Sequence, residues 1–193
     1  MCGRFVLYSK KNVYEKYNIE INKSYNITPG NKVLILNSKL KPIYLKWGLN
    51  LSRFNKSINL INARIETLTK NNFFKNTLRC IFLVDGYFEW KLHEGKKIPY
   101  YHFIEKSLLH LAGIYHVHFG CAIVTKKSIN KIAHIHDRQP LILEDKYFHC
   151  WINKMCDLKF TKHNDNLEIK AHKVSNVVNN PINDSIKNIH ETA

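Results

Sequence analysis

Two strand-forming runs, 80–84 and 87–92, stand back to back with only Asp85-Gly86 between them. Cys80-Ile81-Phe82-Leu83-Val84 is apolar without a break, the pattern of a short strand buried on both faces. A second turn signal, His93-Glu94-Gly95-Lys96, follows at once and leads into a run at 100–104. Further runs at 108–115 and 121–125 continue the set. Upstream, 32–36 and 43–47 read as two strands joined by a short turn around 38–41, and 167–174 reads as a last strand. The segment 140–143 is another strand candidate. Helices are expected at 10–17, capped by Ser9 with Val13, Tyr14 and Tyr17 on one face, at 126–132, and at 144–155 with Trp151 buried. The segment 66–76 reads as a helix or a loop. Strands in hairpin order with added helices predict an α+β fold: a mostly antiparallel sheet, or a partly open β-barrel core, with flanking helices. No repeat, linker or low-complexity block divides the 193 residues, so one domain over 1–193 is expected.

Composition narrows the function classes. With 45% hydrophobic and 12% aromatic residues the chain is globular. Its longest apolar runs are too short to cross a bilayer, so no membrane partner is expected. No charged segment leads into a long apolar one at the N-terminus, which argues against secretion and for a cytoplasmic protein. Lys and Arg number 30 against 15 Asp and Glu, a formal net charge of +15 that favours polyanions. The richness in Lys, Asn and Ile is also the drift of an AT-rich genome, which accounts for part of the lysine without any nucleic acid. The five cysteines are odd in number and form no C-x-x-C pair, against a disulfide framework and against a zinc finger. Cys80 and Cys121 lie in apolar runs and read as core packing. Cys150 and Cys156 flank Trp151, and their spacing to His149 is poor for a metal. Neither metal nor cofactor is expected.

Four polar clusters interrupt the apolar frame: Cys2-Gly3-Arg4-Phe5, Asn62-Ala63-Arg64-Ile65-Glu66-Thr67, Asp85-Gly86-Tyr87-Phe88-Glu89-Trp90 and His134-Ile135-His136-Asp137-Arg138-Gln139-Pro140. Singly, each reads as structural: a solvent-facing Glu89, a satisfied His136. Together they hold thiol, carboxylate, imidazole, carboxamide and guanidinium groups, enough for nucleophilic catalysis with acid–base support beside an anion.

At these residues the sequence resembles the SOS response-associated peptidase (SRAP) family, abasic-site processing proteins that crosslink to DNA. The likeness also runs through Tyr25-Asn26-Ile27-Thr28-Pro29-Gly30, Trp47-Gly48-Leu49, Leu60-Ile61, His172-Lys173-Val174-Ser175 and Val178-Asn179-Asn180, nearly the whole chain. It implies an SRAP-like fold, Cys2 as nucleophile, and Asn62, Glu89 and His136 completing the site. It implies Arg4, Arg64 and Arg138 on DNA phosphates, with Pro29 and Phe73 wedged against bases at the lesion. Trp47 is read two ways, stacked on a base or packed beneath the site. The implied partner is single-stranded DNA with abasic sites, including single/double-strand junctions, met by a monomer associated with the nucleoid. Three departures stand out: Leu83-Val84 where many members carry a proline, Gln139 where Met or Arg is common, and Asn50-Leu51-Ser52-Arg53-Phe54 where many have Pro and Trp. Arg53 and Phe54 are read as replacing an aromatic DNA contact.

The chemistry explains why a cysteine is needed at position 2. Once Met1 is removed, Cys2 offers an α-amine with a pKa of ~7.7–8.0 beside its thiol. Neighbouring guanidiniums would depress that pKa further, since like charges disfavour the cation. The amine can attack C1′ of an open-chain abasic aldehyde and the thiol can close on the same carbon, giving a five-membered thiazolidine. Serine would give a less stable ring, and an internal cysteine has no amine. Competing readings are a Cys2/His136 thiol peptidase, including removal of its own Met1, and a basic nucleic-acid module without catalysis.

Overall fold

The computed structural model describes residues 2–53, 56–156, 160–162 and 166–192, with backbone alone at 51–53 and 56–57. Its strands are β1 (Arg4–Leu7), β2 (Ser24–Ile27), β3 (Lys32–Leu36), β4 (Pro42–Lys46), β5 (Leu49–Arg53), β6 (Lys56–Leu60), β7 (Asn62–Arg64), β8 (Leu78–Val84), β9 (Gly86–His93), β10 (Lys96–Phe103), β11 (Leu109–His116), β12 (Gly120–Lys127), β13 (Arg138–Pro140) and β14 (Lys170–Lys173). The helices are α1 (Lys10–Tyr17), α2 (Asn130–Ala133) and α3 (Phe148–Ile152), with short 3-10 turns between strands.

Two sheets carry the fold. One runs β14-β10-β9-β1-β2 and the other β13-β12-β11-β8-β3-β4, with β7 added beside β12; β5 and β6 pair separately. Every pairing between these strands is antiparallel except β7 with β12, where Asn62 faces Ile123. The fold is therefore α+β and mainly antiparallel, as expected, and the sheets do not close into a barrel. Alternation along the strands sorts the apolar side chains into layers. Phe5 and Tyr87 of the first sheet meet Val33, Ile35, Phe82, Val84 and Leu111 of the second. The opposite face of the second sheet, with Leu34, Ile81, Leu83 and Val124, is covered by Val13, Phe148 and Trp151. Val6, Phe88 and Tyr101 on the outer face of the first sheet pack on Val174 and Val178. The strand 78–84 is thus sandwiched, which is why it reads as an unbroken apolar run.

Turn chemistry sets the register. Glu94 and Gly95 both have positive φ, 49° and 75°, the geometry of a tight type I′ hairpin that matches strand twist. Asp85, the bend between β8 and β9, has its carboxylate buried against Tyr8 and Ser9. It accepts from the amides of both, at 2.5 and 2.9 Å, and from the Ser9 hydroxyl. That hydroxyl therefore does not cap α1, as its position predicts; Asp85 holds the start of the helix from outside. Replacing Asp85 with alanine orphans three donors. The expected loss is about 3 kcal/mol, or roughly 6–12 °C in the thermal midpoint of a chain this size, read by thermal unfolding.

Several expectations shift. Tyr14 is exposed while Val13 is buried, so the α1 face is narrower than the pattern suggests. The stretch 66–76 holds two 3-10 turns, Ile65–Thr67 and Asn72–Phe74. The helix expected at 126–132 begins only at Asn130, because Lys126 and Lys127 still pair with β13. The helix expected at 144–155 splits into a 3-10 turn at Asp145–Tyr147 and α3. Cys150 and Cys156 are disulfide-bonded, with Cα atoms 5.1 Å apart, against the expectation from cysteine count. The turn that ends α3 folds the chain back over itself and brings these two together.

Candidate active site

Four distant segments converge on Cys2. β1 lies between β2 and β9, so the two residues before it are carried toward the space between the sheets, where Cys2 is fully buried. Asn62 opens β7, and the parallel pairing with β12 aims its side chain at the N-terminus: Nδ2 donates to the Cys2 carbonyl at 2.7 Å. Glu89 projects from β9 on the same side as Tyr87 and is 2% exposed. His136, on the loop before β13, brings Nε2 to 4.0 Å from Glu89 Oε2. The four residues expected to form the site are thus brought together.

Burial sets their proton affinities. Desolvation lifts the Glu89 carboxyl to about 7, so near neutrality it can both give and take a proton. The Cys2 thiol is pushed far above its ordinary range, first by burial and then by the Glu89 charge, and stays protonated; its Sγ lies 3.7 Å from the Arg4 carbonyl. Burial lowers His136, favouring the neutral ring. The Arg138 amide donates to His136 Nδ1 at 3.0 Å, which places the ring proton on Nε2, toward Glu89. Asp137 Oδ1 also lies 2.8 Å from Nδ1, but that carboxylate is 83% exposed and free to turn to water while the neutral ring persists.

The three arginines differ. Arg64 ends β7 with its side chain exposed. Arg4 is half-buried; its Nη1 donates to Asn26 Oδ1 at 3.0 Å and to the Val178 carbonyl, and its guanidinium lies over Trp90 at 5.9 Å. It ties β1 to the C-terminal segment, so one nitrogen is already engaged. Arg138 is clasped by Glu66 through two hydrogen bonds, 2.8 and 3.0 Å, and also donates to the Thr125 carbonyl at 2.7 Å. A phosphate reaching Arg138 would have to displace Glu66, a partner that local sequence did not single out.

Among the expected base contacts, Trp47 is corrected. It is fully buried, its Nε1 donates to the Ile61 carbonyl at 2.9 Å and its ring lies 5.0 Å from Phe5, so it packs beneath the site and offers no face to a base. Phe73 packs onto the cluster on the helical side of the second sheet, opposite the one that holds Cys2. Pro29 is half-buried in the turn before β3, whose Gly30 amide bonds the Trp47 carbonyl at 2.7 Å. The Arg53 side chain and Phe54 lie outside the described residues. No cluster of three or more His, Cys, Asp or Glu poised for a metal occurs among the described residues. No helix among them is long and apolar enough to cross a membrane.

A two-sheet frame that buries residue 2 against an Asn, a Glu and a His defines a protein whose candidate chemistry sits at its own N-terminus. The chain belongs to the SOS response associated peptidase (SRAP) family, whose model matches residues 1–181. Among its relatives is the abasic site processing protein YoqW of Bacillus subtilis, 33% identical, the match covering 96% of this chain and 97% of that protein. The abasic site processing protein YedK of Escherichia coli is 31% identical over 80% of each chain. A solved structure from Bacteroides thetaiotaomicron shares the fold with a TM-score of 0.70 at 19% identity, over 97% of this chain and 92% of that one. The structure of a phage-related protein of Bordetella bronchiseptica aligns with a TM-score of 0.68 at 25% identity, over 90% of this chain and 94% of that one.

Proposed function

We propose that this protein acts on abasic sites in single-stranded DNA by forming a covalent thiazolidine crosslink through Cys2. The observation that carries the reading is the seating of residue 2: its carbonyl is fixed by Asn62 and its side chain is buried within reach of a carboxyl that titrates near neutrality. The relatives' names, abasic site processing proteins, point the same way.

Removal of Met1 turns the Cys2 amide nitrogen into a primary amine. Glu89 helps move the proton from the C1′ hydroxyl to the ring oxygen as the sugar opens to its aldehyde. The neutral amine then adds to C1′, and the carbinolamine loses its oxygen as water to give an imine. The thiol adds to the same carbon, its proton passing to the imine nitrogen, and the ring closes. The overall change is amine plus thiol plus aldehyde giving thiazolidine plus water. His136 supports Glu89, and Arg64, with Arg4 and Arg138, holds the flanking phosphates; bidentate guanidiniums suit that role better than lysines. An open strand suits a buried nucleophile, because C1′ in a duplex is harder to reach.

The peptidase reading fits less well. A thiol protease activates its cysteine as a thiolate beside a histidinium, whereas burial and Glu89 hold the Cys2 thiol protonated and the His136 ring is neutral. The test mixes the protein with single-stranded DNA carrying one abasic site, then denatures and resolves the mixture. Intact mass reports whether the chain starts at Cys2. An adduct that survives denaturation is expected for the wild type, and none for Cys2→Ala or with undamaged DNA. Lack of the adduct in protein shown to start at Cys2 would overturn the proposal, leaving a basic binding module whose affinity falls steeply with salt.

A further inference from the structure

One buried group near Cys2 has no work to do in the resting protein. Tyr87 is completely buried, yet its hydroxyl has no hydrogen-bond partner among the described residues. Leaving such a group unpaired costs about 1–3 kcal/mol, and a phenylalanine would fill the same space without that cost. The ring is held firmly: it stacks on His102, with centroids 4.7 Å apart and planes 10° from parallel, and belongs to the apolar cluster that contains Cys2 and Phe5. Tyr87 and Glu89 stand two residues apart on β9 and face the same way. Burial, and after it the nearby Glu89 carboxylate, oppose its ionisation, so it remains a neutral O–H donor. Opposite it in kind is Asn62 Oδ1, an acceptor likewise buried without a partner while Nδ2 holds the Cys2 carbonyl. A donor and an acceptor both left unsatisfied around one nucleophile are the signature of a place completed by a ligand.

We infer that Tyr87 is a further catalytic residue, its hydroxyl donating a hydrogen bond to the oxygen on C1′ as that oxygen leaves the carbinolamine. The inference rests on the crosslinking reading above. In this step the nitrogen lone pair forms the C1′=N bond while the C1′–O bond breaks. The oxygen takes one proton from the Glu89 carboxylic acid and departs as water. Tyr87 transfers no proton; it offsets the charge that builds on the oxygen, as a fixed donor does in an oxyanion hole. The other acceptor that arises in the reaction is the thiol sulfur, and the experiment separates the two.

Tyr87→Phe removes only the oxygen and keeps the stack on His102. The imine is trapped with borohydride at timed intervals and the finished adduct is followed in parallel without reductant, on protein shown by mass to begin at Cys2. Expected for Tyr87→Phe is imine trapping slowed roughly 10²-fold, a melting temperature equal to or above that of the wild type, and unchanged binding to undamaged single-stranded DNA. Equal trapping rates in both proteins would overturn the assignment and leave the crosslinking reading standing. Normal trapping with slow ring closure would overturn it in favour of a donor to sulfur. A lowered melting temperature with lost DNA binding would show a structural role instead and overturn it too. No adduct from the wild type would overturn the crosslinking reading, and this inference with it.

Discussion

Glu89→Gln is expected to make the protein harder to unfold at pH 8 and nearly unable to crosslink. The two effects have one cause. In the unfolded chain the carboxyl loses its proton near 4.5, whereas in the folded protein burial delays that loss to about 7. Between those values the folded state holds a proton that the unfolded state has released, so stability declines as pH rises through this range and stays lower above it. At ~1.4 kcal/mol for each pH unit the penalty is roughly 3 kcal/mol. Glutamine keeps the shape and never ionises. The variant should melt several degrees above the wild type at pH 8 and alongside it at pH 4. Its crosslinking should slow by ~10²-fold or more, the usual worth of a placed acid–base group, and the limb of the pH–rate profile centred near 7 should vanish. Thermal melts across pH and timed adduct gels check both halves. Equal melting at pH 8, or a rate within a few-fold of wild type, would show that Glu89 is neither strained nor used as described.

The largest loss of stability is expected from Gly120→Ala. Gly120 starts β12 at φ +94°, a backbone region that side chains rarely tolerate. A Cβ there would fall 2.5 Å from the Gly48 carbonyl oxygen and 2.6 Å from that of Lys46, both main-chain atoms that cannot rotate away. The crossing they occupy links the β4 edge of the second sheet to β12 near its other edge: the Gly48 amide donates to the Cys121 carbonyl, and the Asn50 amide to that of Phe119, each at 2.8 Å. Trp47 bridges to Cys121 at the same place and supports the floor beneath Cys2. Strain and lost bonds together should exceed about 3 kcal/mol, lowering the melting temperature by roughly 10 °C. A melt within a degree or two of the wild type would mean that the crossing relaxes freely.

The same two regions show how much could be read from sequence. Strands flanking Asp85-Gly86 and Glu94-Gly95 were legible because a short apolar run and a turn signal are local features. The first strand was not: Cys2-Gly3-Arg4-Phe5 looks like a polar cluster, and only the pairing of Phe5 with Tyr87, far along the chain, makes it a strand. The hairpin of β5 and β6 was open to reading, since Leu49-Asn50-Leu51-Ser52 and Ser57-Ile58-Asn59-Leu60 alternate apolar and polar residues, but the segment between also reads as a DNA contact. Cys2, Asn62, Glu89 and His136 were legible as chemical types and through family resemblance. Their meeting depends on the parallel contact of β7 with β12, a long-range pairing that no local pattern encodes. For the same reason Arg138 looked available when Glu66 already holds it. Trp47 could be read equally as base platform or floor until burial decided. Nothing in the sequence sets Tyr87 apart within its cluster, since an unpaired hydroxyl becomes visible only when its surroundings are known.

The position of β1 also fixes an order of events during synthesis. Residue 2 leaves the ribosome among the first, but β1 stays incomplete until β9, ending at His93, is available to pair with it. At ~5–20 residues per second the terminus stays open for roughly 5–20 s. An aminopeptidase acting from outside would meet an open Cys2 only before then, because Cys2 is fully buried in the folded chain. Any trimming that needs an open Cys2 is thus expected to run during translation, ahead of the closure of β1 onto β9.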